Sequence, residues 1–304
     1  MTDRPRRARR VQLSTPGSSE KMMQKASESK ADHVFLDLED AVAPSQKREA
    51  RKKIVAALKT LDWAGKTRCV RINDLTTEYA FEDIIEVVEG AGEHLDTIMM
   101  TKVMTPADVL FADKLLHQLE KKLKLKRSIG LEALIEEVEG MQNVDAIAKC
   151  TPRLECLVFG MGDFSASMGV TNKNVGASDG YPGDVWHYAR FRLVMACRAA
   201  GIDPVDGPFA DFKNPDAYRE ECRRSMILGC VGKWAIHPSQ IEHALEIYSP
   251  KPEDVARARR LEKAYAEAEA KGLGAINVDG IMVDVASIRI LRNTILNKAD
   301  LFGM

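Results

Sequence analysis

Short apolar runs of strand length alternate with amphipathic helical stretches along most of this chain, and that alternation limits the fold more than any other feature. The runs are VQLSTPG (11–17), HVFLDLED (33–40), RCVRIND (68–74), DTIMMTKV (96–103), SIGLEALIEE (128–137), ECLVFGMGDF (155–164), IDPVDGP (202–208) and KWAIHP (233–238). Helical periodicity fills the intervals at 19–30, 45–60, 78–91, 106–122, 140–149, 185–200 and 214–228, and a loop rich in Gly, Asn and Asp spans 169–184. Strands separated by helices pair in parallel, and eight such units suit closure into a (β/α)8 TIM barrel. The rival, an open doubly wound sheet, usually has fewer units and a Gly-rich phosphate turn after its first strand. Neither GxGxxG nor GxxxxGK[ST] occurs, so the sequence predicts an α/β barrel over residues 1–250.

Residues 251–304 break the pattern. PEDVARARRLEKAYAEAEAKG (252–272) reads as a charged helix with a thin apolar stripe of Leu261, Tyr265 and Ala268. An Asp279-Gly280 turn follows, and a further helix begins near 284. The expectation is a C-terminal helical extension that packs on the barrel, on a neighbouring subunit or over the active-site mouth.

Composition narrows the class. Lys plus Arg number 44 against 45 for Asp plus Glu, so no bulk charge argues for nucleic acid. No apolar run approaches the roughly 18 residues of a membrane span, so no membrane partner is expected. The basic opening MTDRPRRARR lacks an apolar h-region and does not read as a secretory signal; it reads as an arm or as a basic edge near a phosphate site. The six cysteines show no CxxC pair or metal spacing, which fits reduced core thiols and a cytoplasmic location.

A barrel carries its active site at the C-terminal ends of its strands. Those ends offer Asp37, Glu39 and Asp40, then Arg71 and Asn73, Lys102, Glu136 and Glu137, Asp163, Asp206 and Asp211, and finally His237. Glu136 and Asp163 close two apolar runs and together suit a hard divalent cation with oxygen ligands, Mg²⁺ first and Mn²⁺ as the alternative. Alternation along a strand sets Asp37 and Glu39 on the face opposite Leu36 and Leu38, and Cys69 and Arg71 opposite Val70 and Ile72. With the leucines against the helices, both carboxylates and the guanidinium point into the barrel mouth. Arg71 then serves as a structural ion pair with Glu39, as a fixed charge for an oxyanion, or as both. His33 and His237 are isolated and read as structural, whereas Lys102 leaves a Schiff-base aldolase open. GxSxG is absent, so no serine nucleophile elbow is expected.

Seven segments together resemble the citrate lyase β-subunit/malyl-CoA lyase (HpcH/HpaI aldolase) family, in order and over nearly the full length. They are PGS (16–18), DLEDAVAP (37–44), VRIN (70–73), GMGDFSASMG (160–169), VDGPFADF (205–212), VGKWAIHPSQ (231–240) and VDVASI (283–288). The resemblance implies a barrel that binds Mg²⁺ and an acyl-CoA and joins it reversibly to glyoxylate. Glu136 and Asp163 match the metal ligands, and Arg71 matches the arginine that stabilises the thioester enolate. Asp284 matches an aspartate that reaches the active site of an adjacent subunit, which implies a homotrimer or a homohexamer built as a dimer of trimers. Lys25, Asp37, Glu39, Phe164 and Pro208 fall at positions that bind substrate or CoA, with Asp40, Asn73, Lys102 and His237 in support. Where relatives carry a basic residue after the PGS turn, this chain has Ser19, with Lys21 and Lys25 nearby.

The implied activity is L-malyl-CoA cleavage to acetyl-CoA and glyoxylate, extended to β-methylmalyl-CoA with propionyl-CoA as product. Citramalyl-CoA cleavage, malyl-CoA thioester hydrolysis and a non-catalytic acyl-binding subunit are the alternatives.

Overall fold

The computed structural model describes residues 4–171 and 183–304, so most of the loop expected over 169–184 lies outside the described residues. Eight parallel strands close on themselves in sequence order. They are β1 (Val11–Pro16), β2 (His33–Asp37), β3 (Thr67–Arg71), β4 (Thr97–Met100), β5 (Gly130–Ile135), β6 (Leu154–Phe159), β7 (Asp203–Asp206) and β8 (Gly232–Ala235). Helices follow each strand: α1 (Glu20–Ser27), α2 (Lys47–Thr60), α3 (Ala80–Ala91), α4 (Pro106–Leu123), the short pair α5 (Val138–Gln142) and α6 (Val144–Lys149), α7 (Met161–Met168), α8 (His187–Ala200), α9 (Pro215–Leu228) and α10 (Ile241–Tyr248). The single helix expected at 140–149 is thus two short ones meeting at Asn143. Among the described residues, no helix is long and apolar enough to cross a membrane.

Side-chain parity follows the expectation. Val34, Leu36, Val70 and Ile72 lie in the large apolar layer between strands and helices. Phe35, Cys69, Met99, Leu134, Val158, Val205 and Trp234 form a separate cluster inside the barrel. Toward the N-terminal ends of the strands the interior turns polar: Glu132 Oε1 lies 3.0 Å from His33 Nε2 and 3.2 Å from Arg9 Nη2. Burial opposes the Glu132 charge, but His33 and Arg9 hold its carboxyl well below the usual range. Cys69 stands beside His33 and Glu132 in ligand-like proximity, yet the Glu132 oxygens are already taken by His33, Arg9 and Gln12, so the group is a bonded plug.

A second buried knot joins the strands to the helices. Asp206, at the end of β7, accepts from Lys233 Nζ at 2.6 Å and from Arg190 Nε at 2.9 Å, and all three are almost fully buried. Residues 251–304 form α11 (Pro252–Glu269), an antiparallel hairpin of β9 (Ala275–Val278) and β10 (Ile281–Asp284), then α12 (Val285–Leu291) and α13 (Asn297–Leu301). The hairpin is an addition to the helices expected there. The chain end docks at the N-terminal end of the barrel, where the Phe302 ring lies 3.9 Å under the Arg10 guanidinium.

Burial opposes the Asp206 charge, but Arg190 and Lys233 together keep its carboxyl below the usual range. Its contribution to stability is therefore present above the ordinary carboxylate pKa and is lost as the pH falls through the lowered value. Asp206→Asn strands the buried Lys233 ammonium, while Arg190 keeps Asp184 and Glu221, and should cost roughly 3 kcal/mol near neutral pH, read as a lower midpoint in urea unfolding. An unchanged midpoint would remove the knot from the stability argument.

Candidate active site

The mouth is built on a register. β2 and β3 pair so that Asp37 stands opposite Arg71, one at the end of each strand. Arg71 donates Nε to Asp37 Oδ1 at 2.7 Å and Nη2 to Oδ2 at 2.6 Å, a two-pronged pair, and its Nη1 lies 3.0 Å from Glu39 Oε2. Asp37 also accepts the amides of Glu39 and Ala41, at 2.9 and 3.1 Å, which fixes the loop after β2. Burial disfavours the Arg71 charge, but Asp37 and then Glu39 outweigh it and raise its pKa. Two of the five guanidinium N–H groups donate to Asp37, and Nη1 adds an ion pair to Glu39. Phe35 and Trp234 floor the group, with ring centroids 5.7 and 5.5 Å from its central carbon.

Lys102 bridges this pair to the next strands. Its Nζ donates to Glu39 Oε1 at 2.7 Å, while its amide donates to Glu136 Oε1 at 2.9 Å. Its backbone is left-handed, with φ 48°, a conformation that costs a non-glycine residue energy and that recurs at functional sites. Burial opposes the ammonium, Glu39 outweighs burial, and the pKa rises, so Lys102 is a held cation and not a neutral amine for Schiff-base chemistry.

Glu136 is nearly fully buried and lies against Gly160, where an added Cβ would sit 2.6 Å from Glu136 Oε2. Only glycine leaves this carboxylate its place. Asp163 was expected at the end of a strand, but the helix begins earlier. α7 starts at Met161, and Phe164 N already bonds Gly160 O at 3.0 Å, so Asp163 sits in the first helical turn. The amides without a helical partner are consequently those of 161–163. A carboxylate in that turn is favoured by the helix dipole.

Burial first, and then the Asp163 charge, pushes the Glu136 carboxyl well above the usual carboxylate range. A buried carboxyl raised by a neighbouring carboxylate marks a place short of positive charge, and Lys102 alone does not supply it. The donor set, hard oxygens from Glu136 and Asp163, fits a divalent cation such as Mg²⁺.

The other expected residues divide. Asn73 donates Nδ2 to Asp83 Oδ2 at 2.6 Å and accepts from Lys47 Nζ, which also donates to the Leu38 and Glu39 carbonyls at 2.9 and 3.1 Å. Lys47 thus clamps the loop carrying Glu39, a role the sequence reading missed; only its place as the first residue of α2 hinted at it. Phe164 is buried edge-on against Phe159, with centroids 5.2 Å apart. Pro208 lies half-buried after β7, and the Asp40 side chain is exposed. His237 caps the turn after β8 through Ser239 N at 3.2 Å and stacks on Phe212. Lys25 is exposed in the last turn of α1, whereas Lys53 reaches the PGS turn itself and donates to Ser18 O at 3.1 Å. Asp284 is apart from all of these: it caps α12 and accepts Ser287 N at 2.8 Å.

Residues 10–238 match the HpcH/HpaI aldolase/citrate lyase family. The chain is 42% identical over 295 residues to an L-malyl-CoA/beta-methylmalyl-CoA lyase of Cereibacter sphaeroides, covering 94% of this chain and 93% of that one. It is 32% identical to a human mitochondrial citramalyl-CoA lyase, covering 94% of this chain and 84% of the relative. Among solved structures, the CitE protein of Mycobacterium tuberculosis in complex with magnesium, acetoacetate and coenzyme A superposes with TM-score 0.74 at 28% identity, covering 95% of this chain and 97% of that one.

Asp163→Asn removes one of the two anionic donors and the charge that raises Glu136. Calorimetry should show Mg²⁺ binding weakened by at least about tenfold, the cost of one charged contact. Unchanged affinity would take Asp163 out of the cation site.

Proposed function

The chain belongs to the HpcH/HpaI aldolase/citrate lyase family, and from that premise we propose that it is a divalent-cation-dependent carbon–carbon lyase. Its substrates are L-malyl-CoA, cleaved reversibly to acetyl-CoA and glyoxylate, and β-methylmalyl-CoA, cleaved to propionyl-CoA and glyoxylate. The observation that carries this reading is the Arg71 guanidinium, fixed at the strand ends by Asp37 and Glu39 and joined through Lys102 to Glu136.

Cleavage needs the alcohol of the malyl group to lose its proton and become the aldehyde of glyoxylate. The electrons of the broken bond pass to the thioester carbonyl and leave an enolate, which a proton then converts to the acyl-CoA. Arg71 is placed to take the enolate oxygen charge, since its own charge is fixed by Asp37 and Glu39 and needs no rearrangement. The cation held by Glu136 and Asp163, Mg²⁺ with Mn²⁺ as the alternative, would supply Lewis acidity to the glyoxylate oxygens. The amides of 161–163, without helical partners, suit the glyoxylate carboxylate. Lys25, Lys53 and Pro208 are the proposed surroundings of the CoA portion, and Lys102, Asp37, Asn73 and Lys47 hold the mouth in shape.

We assign the proton to Asp284 of another subunit, in a homotrimer or a dimer of trimers. β10 packs against β9, α11 and α12. Around Asp284, Met282, Val285 and Ile290 are each more than 60% exposed, an apolar surface that invites cover. A second copy closing on it would bring Asp284 to a mouth and exclude water from the enolate.

Two measurements test these assignments. With Mg²⁺, acetyl-CoA or propionyl-CoA and glyoxylate, the protein should form the malyl thioesters, identified by mass, and pyruvate should substitute poorly. Arg71→Lys should lose on the order of 10²-fold in kcat, as for a lost oxyanion donor, because an ammonium cannot hold Asp37 and an oxyanion together. No thioester product, or a variant within a few-fold of wild type, would reject the reading. In the second, Asp284→Asn and Arg71→Ala subunits, each nearly inactive alone, are co-assembled. Some sites then receive both intact residues, so part of the activity should return; mixed oligomers that recover nothing would place Asp284 outside the site.

A further inference from the structure

At the end of the barrel opposite the mouth, a cavity of about 730 Å³ opens between the N-terminal arm, the α8–β7 turn and the tail. Basic side chains dominate its wall. The carboxylates there are already engaged, Glu155 by Arg7 Nε at 2.7 Å and Asp203 by Arg9 Nη1 at 2.9 Å. Arg4, Arg6, Arg198, Arg289 and Lys298 also line it, and none of them forms an ion pair with a carboxylate of the described residues. Arg4, Arg6 and Arg198 donate instead to the main-chain carbonyls of Ala200, Asn297 and Gly229. A carbonyl satisfies an N–H but leaves the cation's charge uncompensated. The buried Arg9 Nε, on the same wall, has no acceptor among the described residues.

Like charges gathered in one concavity repel, and these come from segments distant in sequence that have no need to meet there. Burial, and next the Arg198 charge, lowers the Lys298 pKa, as expected where positive charge is in excess. Planar guanidinium forks match phosphate oxygens two at a time, and the volume lies within the ~300–1,000 Å³ of small-molecule sites. A single phosphate would leave most of it empty.

We propose that this cavity binds a polyphosphate-bearing anion, gripped by Arg4 and Arg6 of the arm, Arg198 of α8, and Arg289 and Lys298 of the tail. Such a ligand ties arm, barrel and tail together at the face away from the mouth. The site is separate from the proposed catalytic one and stands whether or not that assignment holds.

Inorganic pyrophosphate is the probe, titrated by calorimetry into the full-length protein at constant ionic strength, with ATP in a second arm. Wild type should bind pyrophosphate, and Arg198→Ala/Lys298→Ala should bind at least about tenfold more weakly, the cost of losing charge-assisted contacts, with an unchanged KM for acyl-CoA. Should the double variant fail to fold, Arg289→Ala, on an exposed stretch of α12, should give the same weakening. Tighter binding of ATP than of pyrophosphate assigns the remaining volume to a nucleoside, and equal binding assigns the site to the polyphosphate alone; both support the proposal. No binding by wild type overturns it. So does binding that persists undiminished in the variants, because the anion is then held elsewhere.

Discussion

The mouth of this barrel depends on one buried pair, Arg71 with Asp37. Parallel register sets them opposite one another, and the two-pronged geometry fixes the guanidinium plane. Each further contact leans on that plane. Glu39 is placed by its amide bond to Asp37 and its oxygen on Arg71; Lys102 is placed by Glu39; and the Lys102 amide holds Glu136. Positive and negative groups therefore alternate from β2 to β5. Breaking the first pair would leave a buried cation and a buried carboxylate unpaired and release the rest of the chain of contacts.

The barrel interior is layered by polarity, and the layers divide the work. The plug of His33, Glu132, Arg9 and Gln12 is almost fully bonded and buried, so it fixes strands without exchanging anything with solvent. The apolar layer of Phe35, Met99, Leu134 and Trp234 above it removes water from beneath the mouth. In that dry setting the charges of Arg71 and Glu136 act on one another more strongly than they would in water. The same burial, followed by the Asp163 charge, raises the Glu136 carboxyl.

Strand period and barrel closure were legible in the sequence because both follow from which residues can face the helices. Leu36, Leu38, Val70 and Ile72 could go only one way, and they carried Asp37, Glu39 and Arg71 to the other face. The start of α7 was not legible: LVFGMGDF stays apolar through Met161, so nothing in the pattern marks where strand gives way to helix. Lys47, Arg190 and Glu132 were also hidden, because a charged residue announces exposure until its buried partners are known. In the tail the Asp279-Gly280 turn was visible, but β9 and β10 have four residues each, too few for period two to stand out.

The tail follows from lengths as much as from contacts. α11 has 18 residues and is about 27 Å long, longer than a barrel strand of six residues at about 20 Å. Its first half packs Val255 and Ala258 against Leu296, just before α13, and Ala299 within it. That half belongs to the barrel's N-terminal end, where Phe302 stacks on Arg10. Its second half meets the hairpin through Leu261, Tyr265 and Val283. The helix therefore acts as a spar, fixed at one end and presenting Asp284 with its exposed apolar neighbours at the other. A hairpin held out in this way gains little for its own barrel. In the assembly proposed above, a second copy would bury this apolar surface and receive the carboxylate with it.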